Sequence, residues 1–448
     1  MTTAGFGRLT DPPASLLLAG VRVVDPSSGT DETRDLGVVD GLLADPASVP
    51  AEAARIDGHG LVAAPGLCDL HAHLREPGDP AAETILSGSR AAARGGFTTV
   101  CAMPNTDPPI DDPARVTAAC ESGREVHCRV RIIAAVTAGR AGERLAPIEA
   151  LAAAGAAGFS DDGASVASEV LVADLMATLA ALDLPLLEHA EDPGRAGAGV
   201  MRAGPAAGRL GLAGWPAEAE VAVVKRDLAL AASTGARVHL THLSTAASIA
   251  AVRIAREAGV RVTCDVTPHH LAMADTWVAG DRAFAWSEPR AVPGLAFDGS
   301  CRVNPPLASR ADAAALLDAV ADGTIDAIAT DHAPHPPERK LVPFAEAAAG
   351  MTGLETALSL GLAAVHAGRL GLSELVAVLS TRPAAIIGEQ RGLGVGEPAD
   401  LVVFDPAARW RVETDALESA SWNTPLLGME LPGVVRMTVA NGRITYRS

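Results

Sequence analysis

Short apolar runs typical of β-strands alternate with alanine-rich helical runs through most of the chain, and this alternation limits the possible folds most strongly. Strands are predicted at residues 66–73, 97–104, 129–136, 156–159, 184–189, 237–243, 261–267 and 325–330. Helices are predicted at residues 81–94, 113–125, 143–154, 166–182, 217–233, 246–258, 310–321 and 354–367. Eight β-then-α units favour an α/β fold, a parallel (β/α)8 TIM-like barrel whose strands are surrounded by helices.

The two ends of the chain differ from this alternating middle. Short strands with turns between them are predicted at residues 16–24, 36–43 and 61–64, and again at residues 400–405, 410–412 and 434–446. An Asn-Gly pair at Asn441 and Gly442 is a strong hairpin signal. We therefore expect both ends to form one small β domain. Its parts are residues 1–65 and 391–448, and the barrel takes residues 66–390.

Charge and composition exclude several classes of partner. The formal net charge is −18, which argues against nucleic acid or an anionic membrane as a partner. No uncharged apolar run reaches the roughly 18 residues that a membrane span needs. The six cysteines contain no Cys-X-X-Cys pair, which is typical of reduced cysteines in a cytoplasmic protein.

Histidines and carboxylates gather at the C-terminal ends of the predicted strands, where barrels of this type carry their active sites. His71 and His73 lie two residues apart, so a strand points both imidazoles to one side. Other strand ends carry Asp161, Asp162, Glu188, His189, His239, His242, His269, His270, Asp331, His332 and His335. Imidazoles and carboxylates in this number suit a binuclear zinc-type site.

Such a site predicts hydrolysis of an amide-like bond. A metal lowers the pKa of its bound water to about 7, which supplies hydroxide at neutral pH. Asp331 ends the last strand, next to the first strand in a closed barrel, and is placed to carry a proton to a leaving nitrogen. His239 lies three residues before His242, hence on the opposite face, and is predicted to be structural. For His269 and His270, packing and substrate contact both stay open.

Seven segments together resemble the type I bacterial dihydroorotase family of the amidohydrolase superfamily. The first is Pro-Gly-Leu-Cys-Asp-Leu-His-Ala-His-Leu-Arg-Glu-Pro-Gly at residues 65–78, and the others are residues 102–106, 159–163, 188–192, 267–271, 304–307 and 329–335. The likeness extends from about residue 65 to residue 442. It departs at Ala348-Ala349-Gly350, where the family has Pro-Phe-Gly, and at Ala308, where the family has arginine.

The resemblance implies a role for each matching residue. His71, His73 and Asp331 would hold one zinc ion, His189 and His242 a second, and Asp162 and a hydroxide would bridge the two ions. Asp161 would then be a structural acid. The residues implied to bind substrate are His73, Arg75, Asn105, Asn304, His335, Ala349 and Gly350, with Arg75 and Asn105 on a substrate carboxylate.

The expected activity is therefore reversible hydrolysis of L-dihydroorotate to N-carbamoyl-L-aspartate, a step of pyrimidine (UMP) biosynthesis, with Asp331 as acid and base. Allantoinase and the hydantoinase or dihydropyrimidinase group are the alternatives, but they usually bridge the metals with a carboxylated lysine. The chain has only Lys225 and Lys340, and neither falls on the fourth strand.

A non-catalytic scaffold subunit of aspartate transcarbamoylase is the alternative from another class. We expect a homodimer acting on a small molecule, and an association with the transcarbamoylase stays open. Residues 336–350 hold three prolines between the last strand and its helix, and their role as a lid is also left open.

Overall fold

The computed structural model describes residues 5–448, so the first four residues of the predicted segment 1–65 lie outside it. Within residues 5–448 the chain forms a nearly closed, eight-stranded parallel barrel and a second sheet built from both chain ends. This confirms the predicted fold class. The division into residues 1–65, 66–390 and 391–448 stays a prediction.

In the described part of the N-terminal segment, six strands belong to the second sheet. They are β1 (Gly5–Phe6), β2 (Leu16–Asp25), β3 (Thr30–Val39), β4 (Leu42–Ala44), β5 (Ala54–Asp57) and β6 (Val62–Pro65). β2 pairs antiparallel with β3, and Leu16, Leu18, Val21 and Val23 of β2 are fully buried. Apolar side chains on β2 therefore supply much of this sheet's own core, which is separate from that of the barrel.

The middle of the chain supplies the barrel. Its strands are β7 (Leu67–Ala72), β8 (Phe97–Ala102), β9 (Arg129–Ala134), β10 (Gly158–Phe159), β11 (Leu186–Glu188), β14 (Val238–Leu240), β15 (Val262–Val266) and β16 (Ala327–Ile328). They pair in chain order, and every pair is parallel. A two-stranded insertion, β12 (Met201–Arg202) and β13 (Gly214–Trp215), lies between β11 and β14.

Helices connect these strands. They are α1 (Ile85–Gly95), α2 (Pro113–Ser122), α3 (Ile148–Ala153), α4 (Glu169–Leu182), α5 (Pro193–Ala196), α6 (Pro205–Leu210), α7 (Glu218–Thr234), α8 (Ala246–Glu257), α9 (Pro268–Ala272), α10 (Arg310–Ala321), α11 (Pro337–Lys340), α12 (Ala357–His366), α13 (Leu372–Val376) and α14 (Arg382–Ile386). Each predicted helix has a counterpart here. The short helices α5, α6, α9, α11, α13 and α14 were not predicted, although all except α13 carry a proline in the first turn, where proline is favoured.

The C-terminal segment completes the second sheet with β17 (Leu401–Arg411), β18 (Glu430–Ala440) and β19 (Arg443–Arg447). The strand order is β1-β19-β18-β17-β6-β2-β3-β4, and β5 also pairs with β2. β17 pairs antiparallel with β6, which joins the two ends of the chain. Between β17 and β18 the chain leaves the sheet, and its Asn423 side chain bonds to the barrel loops. Within residues 5–448, no helix combines the length and apolar composition that crossing a membrane requires.

Side chains fill the interior of the barrel. Leu70, Cys101, Ile133, Leu187 and Ala327 come from five different strands, and they form one buried cluster. A barrel of eight strands is just wide enough for such filling, so it has a packed core rather than a channel. The polar residues at the C-terminal mouth of the barrel therefore lie above a filled interior and not above a channel.

The seam between the first and last strands, β7 and β16, is closed mainly by side-chain and loop hydrogen bonds. Asp69 on β7 is fully buried and accepts hydrogen bonds from the backbone N–H of Thr330, at 2.8 Å, and from its hydroxyl. The backbone N–H of His73 donates to the carbonyl of His332 at 2.8 Å. These bonds bring the end of β7 beside the chain that follows β16.

Replacing Asp69 with Ala is expected to lower the free energy of unfolding by about 1–3 kcal/mol, because the buried hydroxyl and N–H of Thr330 lose their acceptor. Chemical denaturation monitored by circular dichroism measures the change. Asp174→Ala, at an exposed position on α4, is the control and should shift stability by less than about 0.5 kcal/mol. Equal stability of the two variants would contradict the role given to the seam.

Candidate metal centre

The C-terminal mouth of the barrel brings together two histidines at the end of β7, Asp331 from the other side of the seam, and Asp162 from the loop after β10. His71 Nε2 lies 3.2 Å from Asp162 Oδ1 and 3.6 Å from Asp331 Oδ1. His73 Nε2 lies 3.1 Å from Asp331 Oδ1 and 3.6 Å from Asp162 Oδ2. Both imidazoles therefore point to the same place, as the two-residue spacing predicts.

Two more histidines approach Asp162 from β11 and β14. His189 Nδ1 lies 3.5 Å and His242 Nε2 lies 3.8 Å from Asp162 Oδ1, and the two ring nitrogens are 2.9 Å apart. Asp162 thus lies within 3.8 Å of four imidazoles. We call His71, His73, Asp162, His189, His242 and Asp331 the His/Asp cluster. None of the six is more than 6% exposed.

The donor set of the His/Asp cluster fits divalent metal ions. Two groups have ligand atoms within 4.8 Å of one another: His71 with His73 and Asp331, and His71 with Asp162 and His242. Both ring nitrogens of His71 are buried without a hydrogen-bond partner, and such a group is costly unless something binds it. Imidazole nitrogen with carboxylate oxygen is a ligand set that zinc accepts.

The charges of the cluster are balanced only by protonation or by a cation. Burial opposes ionisation of Asp162, but the neighbouring histidines outweigh it and hold the pKa of this carboxyl well below its usual range. Burial likewise opposes the charged form of His71, yet Asp162 raises the pKa of His71 to about 9. Burial opposes the charged form of His189 as well, but the carboxylates of Asp162 and Glu191 raise the pKa of His189 to about 10. Metal binding would require these histidines to lose their protons.

Three residues at this mouth have left-handed backbone conformations that non-glycine residues rarely adopt: Arg75 (φ 55°), His242 (φ 38°) and Asp331 (φ 46°). Buried acids secure the nearby backbone. Asp265 accepts from the His242 N–H at 2.7 Å and contacts His239 Nε2 at 2.8 Å. His239 is therefore packed beneath the cluster, as predicted for a structural residue. Local strain of this kind persists where the surrounding structure determines it fully.

The neighbouring acid Asp161 does not face the cluster. It accepts hydrogen bonds from the backbone of Val136 at 2.8 Å and of Thr137 at 3.1 Å, and from the Thr137 hydroxyl. Its carboxylate thereby joins the segment that follows β9 to the loop after β10. This placement agrees with the choice of Asp162 as the inward acid and Asp161 as a structural one.

Beside the cluster is a cavity of about 190 Å³. Its lining includes every predicted substrate-binding residue, namely His73, Arg75, Asn105, Asn304, His335, Ala349 and Gly350. Arg75 Nε donates to the carbonyl of Pro334 at 3.3 Å, which fixes the guanidinium at the wall. His335 Nε2 bonds to the carbonyl of Ala349 at 2.8 Å, and His335 Nδ1 is buried without a partner.

The two predicted amides hold cluster residues in place. Asn105 Oδ1 contacts His73 Nδ1 at 2.8 Å, and Asn105 Nδ2 donates to Asp162 Oδ2 at 3.1 Å. Asn304 Nδ2 donates to Glu191 Oε2 at 2.7 Å. Both amides are therefore engaged with other side chains, and their contact with substrate stays a prediction.

Three residues at the site received no role from the sequence. Glu191 Oε2 contacts His189 Nε2 at 3.1 Å, so the other ring nitrogen of His189 faces the cluster. Asn423 donates to the carbonyls of Ala333, at 3.0 Å, and Gly350, at 3.1 Å. Lys340 is the third, and its ammonium donates to the carbonyls of Ala348 and Gly350. Glu191 follows His189 by two residues and was within reach of sequence reasoning, but nothing local marks Asn423.

The structure also shows where His269 and His270, the two histidines that follow β15, are buried. His270 contacts Thr267 Oγ1 at 2.7 Å and the carbonyl of Pro305 at 3.0 Å, which is a packing role. His269 is buried, and its Nε2 has no hydrogen-bond partner in the part of the chain described. Burial is the main cause that lowers the pKa of His269 to about 4, so its ring is neutral. Neither histidine lines the cavity.

Comparison with known proteins places this architecture among described families. A family of dihydro-orotase-like proteins matches residues 60–248, and an amidohydrolase family matches residues 234–446. The chain is 42% identical to a dihydroorotase of Geobacter sp. (strain M21), over 97% of this chain and 100% of that protein. It is also 42% identical to a dihydroorotase of Anaeromyxobacter dehalogenans (strain 2CP-1), over 96% and 98%.

Solved structures show a similar fold at lower identity. The L-hydantoinase (dihydropyrimidinase) of Arthrobacter aurescens aligns with a TM-score of 0.83 and 24% identity over 96% of each chain. The D-hydantoinase (dihydropyrimidinase) of Thermus sp. aligns with a TM-score of 0.79 and 22% identity over 96% of this chain and 94% of that one. The barrel, its terminal sheet and the buried His/Asp cluster define a cyclic amidohydrolase of the metal-dependent class. Within that class, the chain belongs to the dihydroorotase family.

Glu191→Gln is expected to weaken metal binding by about 10- to 100-fold, because a neutral amide orients His189 less firmly than a carboxylate. Competition with a chromogenic chelator measures the affinity of each protein for zinc. Glu169→Gln, at an exposed position on α4, changes the same charge away from the site and is the control. Equal affinities in Glu191→Gln and Glu169→Gln would show that Glu191 does not support His189.

Proposed function

We propose that this chain is a zinc-dependent dihydroorotase that reversibly hydrolyses L-dihydroorotate to N-carbamoyl-L-aspartate in pyrimidine biosynthesis. The observation that carries the proposal is the place of Arg75. Its guanidinium lines the same small cavity as the His/Asp cluster, where it can meet the carboxylate of a cyclic amide. The relatives that are 42% identical over nearly the whole chain carry the name dihydroorotase.

We assign the metal roles as the family resemblance implies them. His71, His73 and Asp331 would hold one zinc ion, His189 and His242 would hold another, and Asp162 would lie between them. Zinc held there would supply an activated water and polarise the ring carbonyl. The short distances from Asp162 to four imidazoles support this assignment.

Asp331 is the proposed proton carrier. Burial opposes its ionisation, but the hydrogen bond from His73 and the charge of His71 keep the pKa of Asp331 below its usual range. The carboxylate is therefore ionised at neutral pH and able to accept a proton from water. In ring opening it passes this proton to the ring nitrogen as the amide bond breaks, and in ring closure it takes the proton back.

Other residues that line the cavity bind the rest of the substrate. Arg75 and Asn105 bind the substrate carboxylate, and Asn304 completes the pocket. His335 Nε2 donates to the Ala349 carbonyl, which fixes the imidazole in the cavity wall. Burial lowers the pKa of His335 to about 3, which keeps the ring neutral.

The two lysines of the chain argue against a hydantoinase-type bridge. Lys225 is exposed on α7, and the Lys340 ammonium is bonded to backbone carbonyls outside the cluster. Asp162 takes the position between the histidines instead. The hydantoinases resemble this chain at 24% identity or less, and that likeness concerns the fold.

The substrate assignment is tested by measuring how fast the enzyme opens several cyclic amides. The enzyme is loaded with zinc, and its metal content is measured. We expect turnover of L-dihydroorotate and much slower turnover of dihydrouracil, hydantoin and allantoin, which lack the carboxylate. About two zinc ions per chain are expected by elemental analysis. Efficient opening of dihydrouracil or allantoin without turnover of dihydroorotate would overturn the assignment.

The expected partners of the chain are tested separately. Sedimentation of the same sample tests the expected homodimer. Mixing the sample with aspartate transcarbamoylase tests whether the two proteins associate.

Arg75→Gln is expected to lower kcat/KM for dihydroorotate by about 100-fold, since charged hydrogen bonds to a carboxylate are worth about 1.5–3 kcal/mol each. The slow reaction with dihydrouracil should be nearly unchanged, because that ring offers no carboxylate to Arg75. Steady-state kinetics on both rings give the comparison. If Arg75→Gln lowers kcat/KM equally for both substrates, Arg75 does not bind the substrate carboxylate.

Asp331→Asn is expected to lower kcat by about 10²–10⁴-fold, because an amide cannot accept and return the proton. The variant should keep its fold by circular dichroism. Metal content is measured alongside, so that a loss of zinc is recognised. Asp318→Asn, an exposed position on α10, is the control. Near-normal kcat in zinc-loaded Asp331→Asn would exclude the proposed proton transfer.

A further inference from the structure

Lys340 is a buried lysine with an unusual set of partners. It ends the short helix α11 and is only 4% exposed. Its ammonium donates to the carbonyls of Ala348 at 2.6 Å, Gly350 at 2.8 Å and Arg302 at 3.2 Å. No carboxylate forms an ion pair with it within residues 5–448. Three backbone carbonyls therefore stabilise the charge.

These three carbonyls come from two segments that border the substrate cavity. Arg302 lies two residues before Asn304, and Ala348 and Gly350 flank Ala349. The N–H of Gly350 also donates to the carbonyl of Arg302 at 2.9 Å. Lys340 thus lies behind the cavity wall and fastens one segment to the other. It contacts none of the His/Asp cluster.

We propose that the Lys340 ammonium is a positioning residue that fastens Ala349 and Gly350 to the segment before Asn304, and that its protonation controls how tightly the enzyme binds substrate. Residues 336–350 are then a fastened wall of the cavity, not a freely moving lid. The inference rests on the proposed function for its kinetic consequence, but not for its structural one.

The donor count explains why protonation matters. An ammonium has three N–H donors, which match the three carbonyls. A neutral amine has two donors and a lone pair, so at least one carbonyl loses its partner and faces the lone pair. The wall is then held by fewer bonds, and the carbonyl of Ala349 that orients His335 is held less firmly.

The groups around Lys340 shift the loss of its proton to near neutral pH. Burial lowers the pKa of Lys340 to about 7, while Arg302 opposes its charge and Asp298 favours it. Burial also raises the pKa of the neighbouring Cys301 to about 12, so this thiol is neutral. Asp298 is itself paired with Arg282 at 3.0 Å. The remaining charged or titratable groups nearby are His335 and, on α11 itself, Glu338 and Arg339.

The kinetic test uses Lys340→Met with Lys225→Met as the matched control, since these are the only lysines of the chain. Raising the pH from about 6 to about 8.5 should increase the wild-type KM for dihydroorotate about fivefold, the effect expected for losing one ordinary hydrogen bond. kcat should follow the same pH profile in all three proteins. Lys340→Met should show the high KM at every pH, and Lys225→Met should behave as wild type.

A second measurement needs no turnover. Amide hydrogen exchange of residues 341–351, corrected for intrinsic rates, should be faster at about pH 8.5 than at about pH 6 in the wild type. In Lys340→Met it should be fast at both pH values, while residues 310–321 in α10 serve as the internal reference. If Lys340→Met does not fold, the wild-type exchange profile decides alone.

The outcomes separate this inference from the proposed function. If dihydroorotate is not turned over but exchange of residues 341–351 depends on pH as stated, the fastening role holds and the substrate assignment fails. If wild type and Lys340→Met have the same KM at every pH and exchange is independent of pH, the role of Lys340 is overturned.

Discussion

The seam between β7 and β16 is the constraint on which the site depends. His73 and Asp331 are 258 residues apart in sequence, yet their side chains lie 3.1 Å apart because the barrel closes. The closing bonds are few, and the buried carboxylate of Asp69 makes two of them with Thr330. The same bonds that complete the fold thus bring Asp331 beside His71 and His73, so fold and site cannot be perturbed separately there.

Closing the barrel also concentrates charge where water is excluded. Asp162 and Asp331 lie among four imidazoles, and isolated burial of either carboxylate would be strongly unfavourable. The surrounding acids and amides limit the cost by fixing two of the rings and the backbone of a third histidine. Glu191 orients His189, Asn105 orients His73, and Asp265 secures the backbone of His242. Such a shell keeps the ligand atoms in place before a metal arrives, which is how supporting residues raise metal affinity.

Much of this was predictable because it follows from periodicity. The two-residue spacing of His71 and His73 indicates one face of a strand, and all eight barrel strands were predicted near their observed positions. The roles of Asp161 and Asp162 are less accessible, since adjacent residues face opposite sides and only the resemblance chose between them. Asn423 and Lys340 could not be predicted, because each acts on backbone groups of segments that only the folded chain brings near.

The cavity wall at residues 348–350 makes its polar contacts through backbone carbonyls. This explains why the sequence can differ from its family at these positions. The polar contacts at residues 348–350 come from carbonyls that bind Lys340, His335 and Asn423, so alanine can replace proline and phenylalanine without removing them. Gly350 has no such freedom. Its φ is 132°, and an added Cβ would lie 2.5 Å from the Cβ of Ala333. Side chains other than alanine therefore fit at positions 348 and 349 without loss of these backbone contacts, whereas position 350 requires glycine.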